Sequence, residues 1–79
     1  MTRALKMPEP ELVHPALGMI FYECILQGFD LERIKECTGI SSSTLSRWRQ
    51  GETSPTLDQL QALADMLNCE IKIHRVYKP

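Results

Sequence analysis

Three glycines, each set just behind a helix-forming pattern, constrain this chain more than any other feature. "LQGF", "CTGI" and "RQGE" put Gly28, Gly39 and Gly51 at the closing ends of short segments. Glycine enters the left-handed conformation that ends a helix without the steric penalty of a Cβ. The starts match the stops: Asp30 is placed to cap a helix from Leu31 and Ser41 one from Ser42. "TLDQ" at Thr56–Gln59 has the spacing of a capping box, and Pro15 suits a first helical turn. The punctuation predicts four helices, over 15–27, 31–38, 42–50 and 57–68, joined by short connections. The fold class expected is all-α, a small helical bundle.

Periodicity says which faces are buried. Leu57, Leu60, Ala64 and Leu67 form one stripe at helical spacing, widened by Leu63, and Leu31, Ile34 and Cys37 form another. In the third segment only Leu45 and Trp48 are large and apolar, which makes Trp48 a core residue rather than a stacking platform. Ser42, Ser43, Ser46, Arg47, Arg49 and Gln50 are left to face outward. Solvated helix faces are usually built from Glu, Lys and Gln, which favour the helix more than serine does. Helix propensity given up on one face calls for a reason.

Geometry supplies one. Two helices of eight or nine residues joined by the tight turn "CTGIS" make a helix-turn-helix. A helix fits the major groove, short side chains near its start let the backbone approach base edges, and Arg pairs with guanine. The stretch "LERIKECTGISSSTLSRWRQGETSPTLDQLQALADMLN" resembles the Cro and lambda-repressor-like, or XRE, helix-turn-helix family, in a match covering about Gly28 to Ile73. The turn glycine, Ile40 after it, the pair Leu45 and Trp48, Gly51, Pro55 and the "TLDQLQALADML" helix all fall in family register. The resemblance implies that the helix from Ser42 is the recognition helix. It puts the family's base-contacting places on Ser42, Ser43, Ser46 and Arg47, and phosphate-holding places on Gln50 and Thr53. Leu31 stands where the family often has a phosphate-anchoring glutamine, with Arg33, Lys35 and Arg49 as candidates to replace it. Lys35 occupies a place where the family favours alanine, so either the two helices splay slightly or the Lys stem snorkels outward.

The ends of the chain bear on assembly. "CEIKIHRVYKP" alternates with the period of a strand, Ile71, Ile73 and Tyr77 on one face and Glu70, Lys72 and His74 on the other. A lone strand needs a partner, either the same strand of a second subunit or the segment "TRALKM". The first helix, "PALGMIFYECILQG", is apolar around nearly its whole circumference and calls for cover on all sides, by terminal segments or a second copy. Ile20 and Phe21 on that helix, with Ile71, Ile73 and Tyr77, are the expected dimerisation residues. The chain divides into an arm at 1–14, a helix-turn-helix domain at 15–69 and a strand or tail at 70–79.

Bulk properties narrow the rest. Seventy-nine residues, 43% hydrophobic, suit one domain with one small core. The longest strongly apolar run, Gly18 to Phe21, falls far short of the ~20 residues that span a bilayer, no signal-peptide pattern is visible, and membrane association is not expected. Cys24, Cys37 and Cys69 sit in apolar patterns as small buried hydrophobes and suit a reducing, cytoplasmic setting. His14 and His74 lack partners at ligand spacing, so no metal, cofactor or small-molecule ligand is expected. No nucleophile and base stand at motif spacing, which argues against an enzyme.

The net charge of −1 argues against a protein that coats nucleic acid unspecifically. Yet residues 31–51 carry Arg33, Lys35, Arg47 and Arg49 against only Glu32 and Glu36. The expected partners are double-stranded DNA carrying a palindromic operator and a second copy of the chain. The function expected is that of a small dimeric DNA-binding regulator, a repressor acting by operator occupancy: a Cro-like phage regulator, an operon autorepressor or an antitoxin-type regulator. The alternative is a protein-interaction module, such as an antirepressor, working through the first helix and terminal strand.

Overall fold

The computed structural model describes residues 3–73 and Val76. Four helices follow in order: α1 Pro15–Leu26, α2 Leu31–Thr38, α3 Ser42–Arg49 and α4 Leu57–Met66. Each begins where a side chain can satisfy the free N–H groups of a first turn. The Asp30 carboxylate accepts from the Arg33 N–H at 2.8 Å and the Ser41 hydroxyl from the Thr44 N–H at 3.3 Å. Thr56 and Gln59 form the reciprocal capping box at 3.1 and 2.8 Å. α1 is capped by His14, whose Nδ1 accepts from the Ala16 N–H at 3.0 Å.

The helix ends repeat one device. After α3 the Gly51 N–H donates to the Trp48 carbonyl and the Glu52 N–H to the Arg47 carbonyl, a paired closure built around a left-handed residue, φ 77° at Gly51. α1 closes the same way at Gly28, and α4 at Asn68, the one non-glycine residue with positive φ among those described.

One core joins all four helices. α1 contributes Leu17, Phe21 and Cys24, α2 Ile34, the turn Ile40, α3 Leu45 and Trp48, and α4 Leu63, Ala64 and Leu67. α2 packs on both α3 and α4. The arm joins them: Leu5 is buried in the same cluster, and the Leu31 N–H donates to the Arg3 carbonyl at 3.1 Å.

Several expectations are corrected. Leu57 is 81% exposed and stands apart from the buried stripe of Leu63, Ala64 and Leu67. Cys37 and Cys69 are exposed and only Cys24 is buried. On α2 the inward line runs from Leu31 through Ile34 to Thr38, so Cys37 turns away, while the Thr38 hydroxyl donates to the Ile34 carbonyl at 2.7 Å. α1 is not covered on all sides: Met19, at 72%, and Tyr22 and Leu26 lie exposed. Phe21 is 1% exposed and packed in the core, leaving a second subunit almost nothing of it to touch. No strand occurs among the described residues, 70–73 included, and a lone strand has nothing here to bond with. Tyr77 and His74 lie outside the described residues. Rather than pairing with the tail, the arm docks on α2. Among the described residues no helix is long and apolar enough to cross a membrane.

Candidate nucleic-acid interface

The turn between α2 and α3 sets the angle at which α3 is presented. Gly39 takes φ 78°, and its N–H closes α2 on the Lys35 carbonyl at 2.8 Å. The Thr38 hydroxyl accepts from the Ile40 N–H at 3.2 Å, and the Ile40 side chain is buried. Leu45 and Trp48, each 2% exposed, then fix the rotation of α3 about its axis. Everything opposite them is polar.

That outer surface resolves into two stripes at helical spacing. Ser43, Arg47 and Gln50 form the outermost, all three exposed. Ser42, Ser46 and Arg49 form the second, half-buried against the flank of the molecule. The hydroxyls divide their work accordingly. Ser41 and Thr44 turn inward to each other at 2.9 Å as part of the cap, while Ser43 lies 3.2 Å from Ser41. The Gln50 amide donates to Ser46 at 3.4 Å, a weak bond that leaves both free to take better partners.

Ser42 is held from an unexpected direction. The Arg3 guanidinium donates through Nη2 to the Ser42 hydroxyl oxygen at 3.2 Å, and through Nε and Nη2 to Glu32 Oε1 at 3.0 and 2.8 Å. The Arg3 side chain beside it holds the Glu32 carboxyl below its ordinary pKa. Since the Ser42 oxygen accepts from Arg3, its own hydrogen is free to be offered outward. A groove of about 620 Å³ separates arm from α3, with Arg3, Lys6 and Arg49 among its walls and Leu5, Phe21, Leu31 and Leu45 at its base.

The four residues expected to touch bases, Ser42, Ser43, Ser46 and Arg47, therefore share one helix face. Of the four expected at phosphates, Arg49 flanks the groove, Gln50 ends the outer stripe, and Thr53 is exposed just past Gly51. Lys35 is exposed. Arg33 is drawn elsewhere, its guanidinium 5.7 Å from the centre of the Phe29 ring, on the side of α2 that meets α4. Among the described residues neither Arg47 nor Arg49 forms an ion pair, so both charges are available. Arg3 was not legible as a member of this face, since nothing in "TRALKM" tells where an extended arm will lie.

Residues 24–72 match the family of the Cro/C1-type HTH DNA-binding domain, and the chain belongs to that family. The match spans α2, the glycine turn, α3 and α4, the elements that build and hold the polar face. It is a DNA-binding helix-turn-helix domain of a regulator. No curated protein and no solved structure matches the chain.

Proposed function

We propose that the protein is a dimeric repressor that occupies a palindromic operator and blocks a promoter by its presence there. The observation that carries this reading is the outer face of α3: Ser43, Arg47 and Gln50 fully presented, Ser42 and Ser46 beside them, and no ion pair on Arg47 among the described residues. In the major groove Arg47 pairs with guanine, and the serines admit the helix close enough for it to do so. Arg49, Gln50, Thr53 and Lys35 take phosphates, which supply affinity without sequence preference.

The dimer is the second part of the proposal. A twofold axis sets two recognition helices about 34 Å apart, matching half-sites about 10 base pairs centre to centre. Its surface is the open side of α1 together with the segment after α4, where Met19, Ile20 and Ile71 line one shallow depression. In that dimer Ile71 and Ile73 take strand partners from the same segment of the second copy.

Selection of duplexes from a random library by the purified protein tests the whole. The expected yield is an inverted repeat with half-sites about one helical turn apart. An unstructured pool, with no motif enriched, counts against sequence reading. Arg47→Ala should then lose about 1 to 3 kcal/mol on the selected duplex and much less on a scrambled one. Equal losses on both would remove Arg47 from base reading. The exposed α1 face favours one rival, a module that binds another protein. Stable copurification of such a protein, with no duplex retained, would be its signature.

A further inference from the structure

The N-terminal arm lies beside the start of α3, and Arg3 is held there by five hydrogen bonds, two through its backbone and three through its guanidinium. The Arg3 carbonyl accepts from the Leu31 N–H at 3.1 Å, and its N–H donates to Glu32 Oε2 at 3.3 Å. The guanidinium forks onto Glu32 Oε1 and reaches Ser42 Oγ. Leu5, two residues on, is buried in the core and pins the arm from the other side.

We propose that Arg3 is a DNA-contacting residue, placed by Glu32 and Ser42 to hold a backbone phosphate at the corner where α2 and α3 begin. The inference rests on the DNA-binding reading above. Three observations carry it. First, the side chain stays 62% exposed while its backbone is fastened, so the charge is fixed in place yet open to solvent. An exposed ion pair adds little to stability, and the burial of Leu5 already secures the arm. Second, the bonds to Glu32 and Ser42 use Nε and Nη2, and among the described residues Nη1 has no hydrogen-bond partner. Third, Arg3 shares its groove with Lys6, Arg49, Ser42, Ser43 and Ser46, so a phosphate there meets donors from arm and helix together. Leu31 offers that corner no polar side chain, and Glu32 without Arg3 would leave an unpaired negative charge beside Ser42. The arm supplies what α2 lacks.

The test uses the full chain and two labelled 30-base-pair duplexes, one selected from the random library and one scrambled, titrated by fluorescence anisotropy over a range of salt. Arg3→Ala is expected to weaken binding about 3- to 10-fold on both and to lower the slope of log affinity against log salt by about one. The loss should persist in a Glu32→Gln background. Arg3→Lys, keeping charge without the fork, should retain the slope and recover part of the affinity. Unchanged affinity and slope for Arg3→Ala overturn the inference. So does a loss that vanishes in the Glu32→Gln background, which would make Arg3 only a mask for that carboxylate. Wild-type protein that binds neither duplex overturns the DNA-binding reading itself, a failure distinct from these two.

Discussion

At Gly51 two demands meet on one residue. Its φ is 77°, and a Cβ built there would lie 2.6 Å from the Leu12 carbonyl oxygen, a backbone atom with little room to yield. Gly39 has nearly the same φ, 78°, with nothing within 4 Å of the added carbon. Gly39→Ala should cost about 1 to 2 kcal/mol, the usual penalty of the left-handed region. Gly51→Ala should cost more, by at least about 1 kcal/mol, since a backbone contact must also be broken. Urea unfolding of the two variants makes the comparison, and equal losses would mean that Leu12 does not press on Gly51. The cysteines offer another reading at this scale. Burial, then the neighbouring Glu23 and Cys69, push the Cys24 thiol up to about 11, while Cys37 and Cys69 are exposed. In the native protein two thiols should react quickly with a thiol reagent at pH 8 and the third only on unfolding. The shift also has a sign: a proton held more tightly in the fold contributes stability that is whole below the ordinary thiol value of 9.0 and is lost as pH rises through about 11. Three thiols reacting at one rate would contradict the burial of Cys24.

Among elements, the extended arm carries the one pairing that is sensitive to acid. Hydrogen bonds from Arg3 lower the pKa of Glu32, so the Arg3–Glu32 pair is complete above the ordinary glutamate range and is lost as pH falls through the lowered value, while the burial of Leu5 keeps the arm in place. Carboxyl NMR of Glu32 should titrate below a normal glutamate in wild type and return to the ordinary range in Arg3→Ala. A titration unaffected by that substitution would show that Arg3 and Glu32 are not paired in solution. The helices themselves were legible because caps and closures are local chemistry: Asp30, Ser41, Thr56 and the glycines act on bonds within one turn. Each predicted helix appears within two residues of its expected ends. Less local features escaped. Asn68 closes α4 in a role more often glycine's, and His14 caps α1 through a ring nitrogen rather than an oxygen. Leu57 keeps helical spacing with the buried stripe, but spacing says nothing of whether a neighbour covers a first turn. The outward face of α3 could be read from Leu45 and Trp48 alone, since fixing two buried residues fixes the rest of a short helix. Arg3 could not, because its place depends on a contact 29 residues away.

For the molecule as a whole, the largest open apolar face lies on α1. Its inward line is Leu17, Phe21 and Cys24, one stripe of a helix whose other sides carry Met19, Tyr22 and Leu26 to the surface. Ile71 lines a depression with Met19 and Ile20, and Ile73 is 98% exposed, so apolar surface continues from α1 onto the tail. Contiguous patches of this kind mark association surfaces on small proteins. In the proposed dimer the surface open to a second copy is Met19 and its neighbours, Phe21 being buried. Met19→Glu removes an apolar contact and sets like charges across a twofold axis, and an exposed site lets the fold tolerate it. In sedimentation at micromolar concentration the wild type is expected as a dimer and the variant as a monomer; a monomeric wild type overturns the proposed dimer. On the selected inverted repeat it should weaken binding sharply, while an isolated half-site should be bound as well as by wild type. Truncation after Cys69 separates the contributions: a truncated chain that still dimerises puts the interface on α1, and one that becomes monomeric assigns it to the tail. If Met19→Glu and the truncated chain both sediment as wild-type dimers, the interface lies elsewhere, and the spacing of half-sites must be derived from another face of the molecule.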